Sequence, residues 1–518
     1  MKSLLHSAFC ILHSPIATYA ALAVIVFPVY PHFVSPNEFS RWALAAAIVE
    51  DHSIDITRFV HILGDVNFED AAQRGGRLYS NKAPGAAFIG LPGYAVARMF
   101  VGPPTAANMR FSLTAMRLFA ATIPLLALAW VMFRAARRLG ASEERARAAV
   151  TILLFATPLF AYGLLNFSHA LTAAAIFIAW HMLFIDPSPA RDIAAGALIG
   201  LATISEYPTA IAGAVLVAVA WRRAHRIILG GLPFALLLAI YNRAAFGSPF
   251  ALSSGSERNA AFRELAGGGV FGIGIPSLSR AMRLLFDPSR GLFVFSPVLL
   301  LVFIALWRRP APLSRSAWAA LIAAPLSLLI LYSGYPNWNG GWSVGPRYLV
   351  PALPFLVMPI VFLSATWIES LLTGAAITAV TLLSLTFPFP DPSFSMPWQT
   401  LGVPLLRDGL AAPNALHLVA RPLAIVVPFA LVILCAFGLQ KRWWIALGAG
   451  VMIGISAAVV AMNPPTMTQR LRVGYIEQVY FERHDGIQHA LPPGAVVPPR
   501  ALQRANYEST LPPASWPF

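Results

Sequence analysis

Two carboxylates and one lysine stand out in the first long polar segment of the chain. Residues 35–108 follow the first apolar stretch and include Glu38, Asp70 and Lys82. The whole protein holds only three lysines, and only 11% of its residues are charged. A carboxylate can take the proton of an attacking hydroxyl group, and a cation can stabilise a departing phosphate. The sequence therefore predicts an active site in this segment, held at a membrane surface.

Glu38 is predicted to lie in the first turn of a helix. Apolar side chains recur after it at three- and four-residue spacing, at Trp42, Ala45, Ala46 and Val49. A simpler interpretation is that Asn37 caps this helix and that Glu38 only complements the helix dipole. Asp70 opens a second candidate segment, in which two glycines turn the chain toward Lys82. Lys82 stands just before an apolar stretch, where a cation is either solvated or paired with an anion.

The composition indicates a protein that crosses a membrane many times. Hydrophobic residues make up 58% of the 518 residues and the mean hydropathy is +0.67, whereas soluble proteins carry about a quarter charged residues. A membrane-spanning helix needs about 20 mostly apolar residues. We therefore predict an all-α polytopic fold. Its roughly thirteen spans are expected at residues 16–33, 110–133, 145–164, 169–186, 193–205, 206–221, 226–245, 290–307, 316–334, 349–364, 369–386, 421–439 and 444–462.

Clusters of basic residues between the apolar stretches set the predicted orientation. The positive-inside rule places such clusters in the cytoplasm. They lie near Arg134, Arg222, Arg308 and Lys441. The N-terminus is then inside and the C-terminus outside, and the net charge of +15 reflects orientation rather than nucleic-acid binding. Cys10 and Cys435 fit no metal or redox spacing, and the first apolar run lacks a small-residue cleavage site, which predicts an uncleaved first span.

We predict two parts, a transmembrane domain over residues 1–462 and an extracytoplasmic tail over residues 463–518. The first extracytoplasmic loop covers residues 35–108. Its apolar stretch 85–101 cannot span the membrane without placing the Arg134 cluster outside. We therefore predict a re-entrant or interfacial helix there, since irregular backbone at membrane depth needs a protein or cavity surface around it.

A break between two short spans is predicted at Glu206. The proline two residues later can start the second helix without losing a needed N–H group. Glu206 is then at the outer boundary of the membrane, and His169 begins a span at the same face. An ionisable group inside a membrane is by default a functional candidate, although capping or hydrogen bonding is the alternative for both residues.

Several motifs resemble those of the GT-C glycosyltransferases, which are integral membrane enzymes that take sugars from polyprenyl-phosphate carriers. The group includes the protein mannosyltransferases and the lipid A aminoarabinose transferases. Asn37-Glu38 stands where these proteins carry an acidic pair, and Lys82-Ala83-Pro84 stands where a Lys/His-Pro-Pro element opens the next helix. The resemblance covers most of residues 16–364. Other matching segments, in chain order, are Phe167-Ser168-His169, Ser205-Glu206-Tyr207-Pro208, Tyr241-Asn242, Phe246-Gly247-Ser248-Pro249, Ser289-Arg290-Gly291-Leu292-Phe293, Trp338-Asn339-Gly340-Gly341-Trp342-Ser343 and Gly345-Pro346-Arg347-Tyr348.

The resemblance implies a GT-C-like bundle with juxtamembrane helices in the first loop. Because Asn37 stands where an aspartate is expected, either Glu38 or Asp70 would have to supply the catalytic carboxylate. The resemblance also implies that the transfer inverts the sugar configuration, as a single displacement does.

Three cations are predicted to bind the donor phosphate. Lys82, Arg290 and Arg347 fall at outer membrane boundaries, and arginine can bind phosphate oxygens with two parallel hydrogen bonds. The alternative for the arginines is interfacial snorkelling.

Further residues are predicted to contact the substrate. Trp338 and Trp342 flank glycines in a short outer loop and are expected to stack on a sugar, unless they only anchor the protein at the interface. The other predicted contacts are Asn37, Tyr79, Asn81, His169, Glu206, Tyr207 and Tyr348. A divalent metal is a further candidate with Glu38, Asp70 and His169 as ligands, although no ligand spacing marks the site.

The predicted function is that of a glycosyltransferase, transferring a hexose or pentose in cell-envelope glycan biosynthesis. Its expected partners are a polyprenyl-phosphate sugar donor, a glycan, lipid or protein acceptor, and membrane lipids, and its expected place is the bacterial inner membrane with the active site outside. Two alternatives stay open. One is a transporter or flippase of lipid-linked sugars, which typically shows inverted repeats and charges near the bilayer midplane. The other is an oligosaccharide ligase with a polyprenyl-diphosphate donor.

Overall fold

The computed structural model describes most of the chain, in seven stretches. These are residues 14–30, 35–62, 70–269, 272–420, 422–437, 442–462 and 465–481. Several sequence predictions fall partly outside them. They concern residues 31–33 of the first span, residues 63–69 of the first loop, residue 421 and residues 438–439 of the twelfth span, Cys10, Lys441, and residues 463–464 and 482–518 of the tail.

Helices make up nearly all of the regular structure in the described stretches. Their bounds are α1 Pro15–Val26, α2 Pro36–Asp51, α3 Thr57–Ile62, α4 Gly85–Val101, α5 Met109–Arg117, α6 Ile123–Arg138, α7 Glu143–Phe155, α8 Leu159–Tyr162, α9 His169–Phe184, α10 Pro189–Ser205, α11 Ala210–Val219, α12 Ala224–Phe246, α13 Ala260–Gly267, α14 Leu278–Phe286, α15 Leu292–Phe295, α16 Leu301–Arg308, α17 Arg315–Ser333, α18 Leu353–Ile360, α19 Trp367–Thr386, α20 Val403–Arg407, α21 Leu423–Phe437, α22 Arg442–Met462 and α23 Met467–Tyr480. The strands β1 Ala71–Arg74 and β2 Arg77–Ser80 form one antiparallel hairpin.

The helices confirm an all-α polytopic membrane protein. Within the described stretches, four helical segments are long and apolar enough to cross a membrane, at Met109–Arg138, Trp221–Phe246, Arg315–Ser333 and Trp367–Thr386, and eight shorter apolar helices accompany them. Each of the thirteen stretches predicted as spans contains a helix. How many of these helices cross the membrane stays a prediction.

Glycines bring two pairs of parallel helices into backbone contact. In the pair α10 and α12, a Cβ added at Gly196 would lie 1.8 Å from the carbonyl oxygen of Ile227, and one at Gly230 would lie 1.8 Å from that of Ile193. The pair α19 and α22 repeats the arrangement at Gly374 and Gly448. Lipid tails are as apolar as leucine, so helices in a membrane associate through close packing of this kind.

A second, smaller core lies under the first loop. Trp42 of α2 is fully buried, and its ring contacts the rings of Phe39, Phe59 and Tyr94 at centroid distances of 5.5, 6.2 and 6.2 Å. Its indole N–H donates to Ser112 Oγ at 2.8 Å. The helix predicted from the spacing around Trp42 is therefore present, and its apolar side fastens the loop to α4 and α5.

The helix α4 occupies the apolar stretch 85–101. It packs on α5 so closely that a Cβ at Gly93 would lie 2.4 Å from the carbonyl oxygen of Ala115, while Met99 and Phe100 at its far end are exposed. Its predicted re-entrant or interfacial character stays a prediction.

The tail begins with a helix, α23, that the sequence analysis does not place. Thr466 and Gln469 form a capping box at its start, which supplies partners for otherwise unpaired N–H groups. Its last residue, Tyr480, packs edge-to-face on Tyr30 and Phe387 at 5.2 and 4.8 Å. The described part of the tail therefore belongs to the bundle.

The glycine contact between α19 and α22 can be tested with two substitutions in one helix. A Cβ at Gly448 would lie 1.9 Å from the carbonyl oxygen of Leu371, whereas one at Gly450 meets no atom within 4 Å. We expect Gly448→Val to destabilise the protein by about 1–3 kcal/mol, the usual cost of overpacking, and Gly450→Val to have little effect. Thermal unfolding in detergent measures both. Equal unfolding temperatures for the two variants would contradict the packing described.

Candidate active site

The hairpin of the first loop brings Asp70 and Lys82 together. In the antiparallel register, Ala71 pairs with Ser80, so the residues that flank the hairpin lie side by side. Lys82 Nζ lies 2.6 Å from Asp70 Oδ1, and Asn81 Nδ2 donates to the same oxygen at 2.8 Å. The structure thus joins three of the residues predicted from the sequence.

A fourth member of this group, Glu257, comes from the segment after α12. Asn81 Nδ2 also donates to Glu257 Oε2, at 2.9 Å. We call Asp70, Asn81, Lys82 and Glu257 the loop cluster. Ala72 forms an isolated β-bridge with Glu257, so backbone pairing fixes the position of this carboxylate against the hairpin.

The two carboxylates of the loop cluster differ in acidity. Burial raises the pKa of Asp70, but the charge of Lys82 and the hydrogen bonds from Asn81 and Lys82 outweigh burial, so the pKa lies below its ordinary value. Burial raises the pKa of Glu257 to about 7, only partly offset by Lys82 and Asn81. Asp70 therefore keeps its charge to lower pH than Glu257 does.

A second group of polar side chains surrounds the predicted helix break. Glu206 lies between the end of α10 and a short 3₁₀ turn. Its Oε2 lies 2.7 Å from His169 Nδ1 and accepts from Ser168 Oγ at 3.4 Å, and its Oε1 accepts from Tyr332 Oη at 3.1 Å. We call Glu206, His169, Ser168 and Tyr332 the helix-break cluster. The structure thus explains why a membrane helix pair tolerates Glu206, since its carboxylate is hydrogen-bonded on both oxygens.

Two arginines lie between these clusters with no carboxylate partner among the described residues. Arg41 is buried and donates to Ser168 Oγ at 3.3 Å and to the backbone oxygen of Asn37 at 2.8 Å. Arg347 donates to Tyr348 Oη at 3.3 Å and lies over the Tyr348 ring at 5.0 Å. The Nε atoms of both guanidinium groups are buried and form no hydrogen bond within the described structure. Arg41 is a buried cation and Arg347 a half-buried one. Neither has a direct ion-pair partner among the described residues, which makes a desolvated cation costly, so these two side chains form a site suited to an anion.

The charges of the two arginines interact with carboxylates of the loop cluster and the helix-break cluster. Burial lowers the pKa of Arg41 to about 10, and the charges of Glu206 and Asp70 oppose that change. Arg347 in turn helps to lower the pKa of Asp70. The charge of Arg347 also acts on Arg41, and we call the region around Arg41, Arg347 and Lys82 the anion pocket.

The ring of Tyr348 fixes one wall of the anion pocket. It stacks on the ring of Tyr332 at 4.4 Å with an interplanar angle of 10°. Gly340 allows the approach of Arg347, because a Cβ there would lie 2.8 Å from Arg347 Nε. The backbone at Gly340 has a φ of +73°, which an L side chain rarely adopts. The glycines of this loop therefore make room for a cation.

Glu38 lies apart from the anion pocket, in a buried ion pair. Its two carboxylate oxygens accept from Arg117 Nε and Nη2 at 2.8 and 2.7 Å, and Oε1 also accepts from the backbone N–H of Asn166 at 2.6 Å. Arg117 further donates to the backbone oxygen of Pro28. The Glu38 side chain is fully buried, so the geometry favours a structural role over proton transfer. Asn37, at the start of the same helix, accepts from Arg41 instead.

The remaining predicted residues lie around the pocket at different depths. Arg290 is only 1% exposed and donates to Ser343 Oγ at 3.3 Å and to the backbone oxygen of Pro390 at 2.8 Å, so it braces two loops. Trp338 faces the guanidinium of Arg283 at 5.6 Å, and Trp342 faces that of Arg472 at 5.8 Å. The two tryptophans therefore have separate surroundings.

Two further predicted contacts pack against protein. Tyr79 packs edge-to-face on Phe246 at 6.2 Å. The Tyr207 hydroxyl is buried and has no hydrogen-bond partner in the described structure. Their predicted contact with a substrate stays a prediction.

The three residues considered as metal ligands do not converge. Glu38 pairs with Arg117, Asp70 with Lys82, and His169 with Glu206. The described stretches contain no group of three or more acidic, histidine or cysteine side chains placed to hold a metal ion.

Sequence reasoning missed Arg41, Glu257 and Tyr332. The sequence pattern could have indicated Arg41, because it lies three residues after Glu38 in a predicted helix, on nearly the same face. No local sequence pattern indicates Glu257 or Tyr332. Each reaches its cluster through contacts with residues more than a hundred positions away in the chain.

Comparison with known proteins gives a distant structural likeness. No protein-family model and no curated protein matches the chain. The crystal structure of ArnT from Cupriavidus metallidurans in the apo state is 18% identical in sequence, with a TM-score of 0.47 over 90% of this chain and 80% of that one. The crystal structure of ArnT from Cupriavidus metallidurans bound to undecaprenyl phosphate is 17% identical, with a TM-score of 0.44 over 88% and 79% of the two chains. Both TM-scores are low, so the proposals below rest on the side chains of this protein.

The role of Glu38 can be tested through its partner. Removing one member of a buried ion pair leaves an uncompensated charge and costs about 3–5 kcal/mol. We therefore expect Arg117→Met to lower the unfolding temperature strongly, and the double variant Glu38→Gln with Arg117→Met to recover much of that loss. Thermal unfolding in detergent provides the comparison. A double variant no more stable than Arg117→Met alone would show that the pair is not the source of the effect.

Proposed function

We propose that this protein is an inverting glycosyltransferase that moves a sugar from a polyprenyl-phosphate donor to an acceptor outside the cytoplasm. The observation that carries the proposal is the anion pocket. Arg41 and Arg347 are cations with no carboxylate partner in the described structure, and they lie at one end of an apolar helical bundle. A phosphate on a lipid tail meets both conditions, since its charge satisfies the arginines and its chain stays in the bilayer.

The pocket supplies the groups that such a transfer needs. The bond between the sugar and the phosphate breaks with its electron pair on the phosphate oxygen, so negative charge grows on the leaving group. Arg41, Arg347 and Lys82 are placed to stabilise that charge. Lys82 Nζ donates one hydrogen bond to Asp70 at 2.6 Å, and its other N–H groups can donate to a phosphate oxygen. Asp70 thus positions the lysine, and the loop cluster holds the carboxylates that can receive the acceptor proton.

The charge distribution supports an outer location for the pocket. The opposite end of α10 carries Asp192, which pairs with Arg223 and Arg226 at 2.6 and 3.3 Å. These arginines belong to one of the basic clusters expected in the cytoplasm. Glu206 and the anion pocket lie at the other end of the same helix, about 21 Å from Asp192 by the rise of an α-helix. We therefore propose that the active site faces away from the cytoplasm of a bacterial inner membrane.

The reaction can be tested with purified protein in lipid nanodiscs. Undecaprenyl-phosphate and undecaprenyl-diphosphate sugars are offered together with an envelope extract as the acceptor source, and the released carrier is detected. We expect release from a monophosphate donor. Release from diphosphate donors alone would favour an oligosaccharide ligase. Movement of labelled donor across the bilayer without any release would favour a flippase.

The cations of the pocket should control the rate. We expect Lys82→Ala and Arg347→Ala each to lower the turnover rate by about 10²–10³-fold, the usual effect of removing one group that stabilises charge in the transition state. Arg77→Ala is the matched control, because Arg77 lies on the same hairpin, is 69% exposed, and makes only a 3.6 Å contact with Asp55. Carrier release under saturating donor measures the effect. Equal rates for all three variants would contradict the assignment of the pocket.

A further inference from the structure

We propose that Glu257, and not Glu38 or Asp70, takes the proton of the acceptor hydroxyl, and that docking of residues 253–258 on the hairpin completes the active site. This inference rests on the proposed glycosyl transfer and names its base. The sequence predicts the catalytic carboxylate in the first loop, whereas Glu257 lies in a segment nearly two hundred residues later.

Glu257 forms no direct ion pair with the described residues, whereas Asp70 pairs with Lys82 and Glu38 pairs with Arg117. Asp70 Oδ1 accepts from both Lys82 and Asn81, and Glu38 is enclosed by Arg117. Glu257 uses Oε2 to accept from Asn81 at 2.9 Å, while its Oε1 accepts nothing from the described residues. Asn81 Nδ2 donates to both Asp70 Oδ1 and Glu257 Oε2. The distance between these two oxygens is therefore no greater than the sum of the two hydrogen-bond lengths. Glu257 therefore lies at the edge of the same site.

Three contacts hold the segment that carries Glu257. The first is the bridge between Glu257 and Ala72, in which the N–H of Arg258 donates to the carbonyl oxygen of Ala71 at 2.8 Å. Ser253 Oγ donates to the carbonyl oxygen of Asn81 at 2.8 Å. Arg263 Nη1 donates to the carbonyl oxygen of Glu257 at 3.0 Å. Backbone pairing of this kind positions a side chain more rigidly than a free loop does, as catalysis requires.

The acidity of the two carboxylates fits the same division of roles. A general base works best when its pKa is near the working pH. The pKa of Glu257 is raised to about 7, first by burial, with the charge of Asp70 adding to the rise and Lys82 and Asn81 opposing it. Tyr335, whose pKa is raised first by burial, also couples to Glu257 through its charge. The pKa of Asp70 lies below its ordinary value, so its carboxylate is a weak proton acceptor. This property fits a role as the permanent ion-pair partner of Lys82.

The step balances without any further reagent. The acceptor oxygen forms a bond to the anomeric carbon of the sugar as its proton passes to Glu257. The bond from that carbon to the phosphate oxygen breaks, and its electron pair stays on the polyprenyl phosphate. The anion pocket receives this charge, and Glu257 afterwards loses its proton to water.

The test is the pH dependence of carrier release in matched variants. With Glu257 as base, the wild-type rate should rise about tenfold per pH unit below pH 7 and level off above it, because only the ionised carboxylate accepts a proton. Glu257→Gln should lower the rate by about 10²–10⁴-fold and remove this rise. Glu257→Asp keeps a carboxylate and should keep the rise at a reduced rate. Asp70→Asn should slow the reaction but keep the rise.

Two controls separate this role from a structural one. Glu264→Gln removes an exposed acid from α13 in the same segment and should leave both rate and pH profile unchanged. Binding of undecaprenyl phosphate, followed by tryptophan fluorescence, should be the same for Glu257→Gln and the wild type. Loss of this binding would overturn the proposal, because Glu257 would then support the pocket rather than the proton transfer.

The outcomes also distinguish this inference from the proposed function. If the wild type releases no carrier from any donor, the glycosyl transfer itself fails. If the wild type releases carrier and Glu257→Gln does so at the same rate with the same pH profile, only the assignment of Glu257 fails.

Discussion

The ion pair between Glu38 and Arg117 is the interaction on which the arrangement of the site depends. It joins the start of α2 to α5 and, through the N–H of Asn166, to the turn before α9. With α2 fixed in this way, Ser40 reaches the loop cluster, where its Oγ donates to Asn81 Oδ1 at 3.3 Å, and Arg41 reaches Ser168 in the helix-break cluster. The single helix α2 thus contacts both clusters and carries a cation between them.

The anion pocket combines two environments that suit the proposed lipid-linked substrate. On one side, both carboxylate oxygens of Glu206 have partners within the helix-break cluster. This carboxylate therefore contributes its charge without needing a ligand as a hydrogen-bond donor. On the other side the loop cluster is assembled from segments that lie far apart in sequence and offers Glu257 at the rim. Arginines with unpaired Nε atoms lie between the two. In a site of low dielectric constant, charges fixed in this way act strongly on a phosphate.

Much of this architecture follows from the sequence, and the remainder depends on contacts that no local pattern records. Apolar stretches, arginine clusters and the proline after Glu206 predict the helical body and the break between α10 and α11, because hydropathy and backbone chemistry are local. The pairing of Asp70 with Lys82 could have been predicted from the sequence, since two glycines between them can turn the chain back. The ion pair of Glu38 could not have been predicted, because Arg117 lies inside an apolar helical stretch, where its partner depends on tertiary packing. For the same reason the sequence left Glu38 and Asp70 as alternative bases and did not point to Glu257.

The phosphate site can be located in a structure of the protein with bound undecaprenyl phosphate, determined by electron cryomicroscopy in lipid nanodiscs. We expect the phosphate to lie between Arg41 and Arg347, within hydrogen-bond distance of Lys82, with its chain leaving the pocket into the bilayer. A phosphate bound at the opposite end of α10, beside Arg223 and Arg226, would contradict this expectation. So would a carrier whose phosphate touches neither arginine of the pocket.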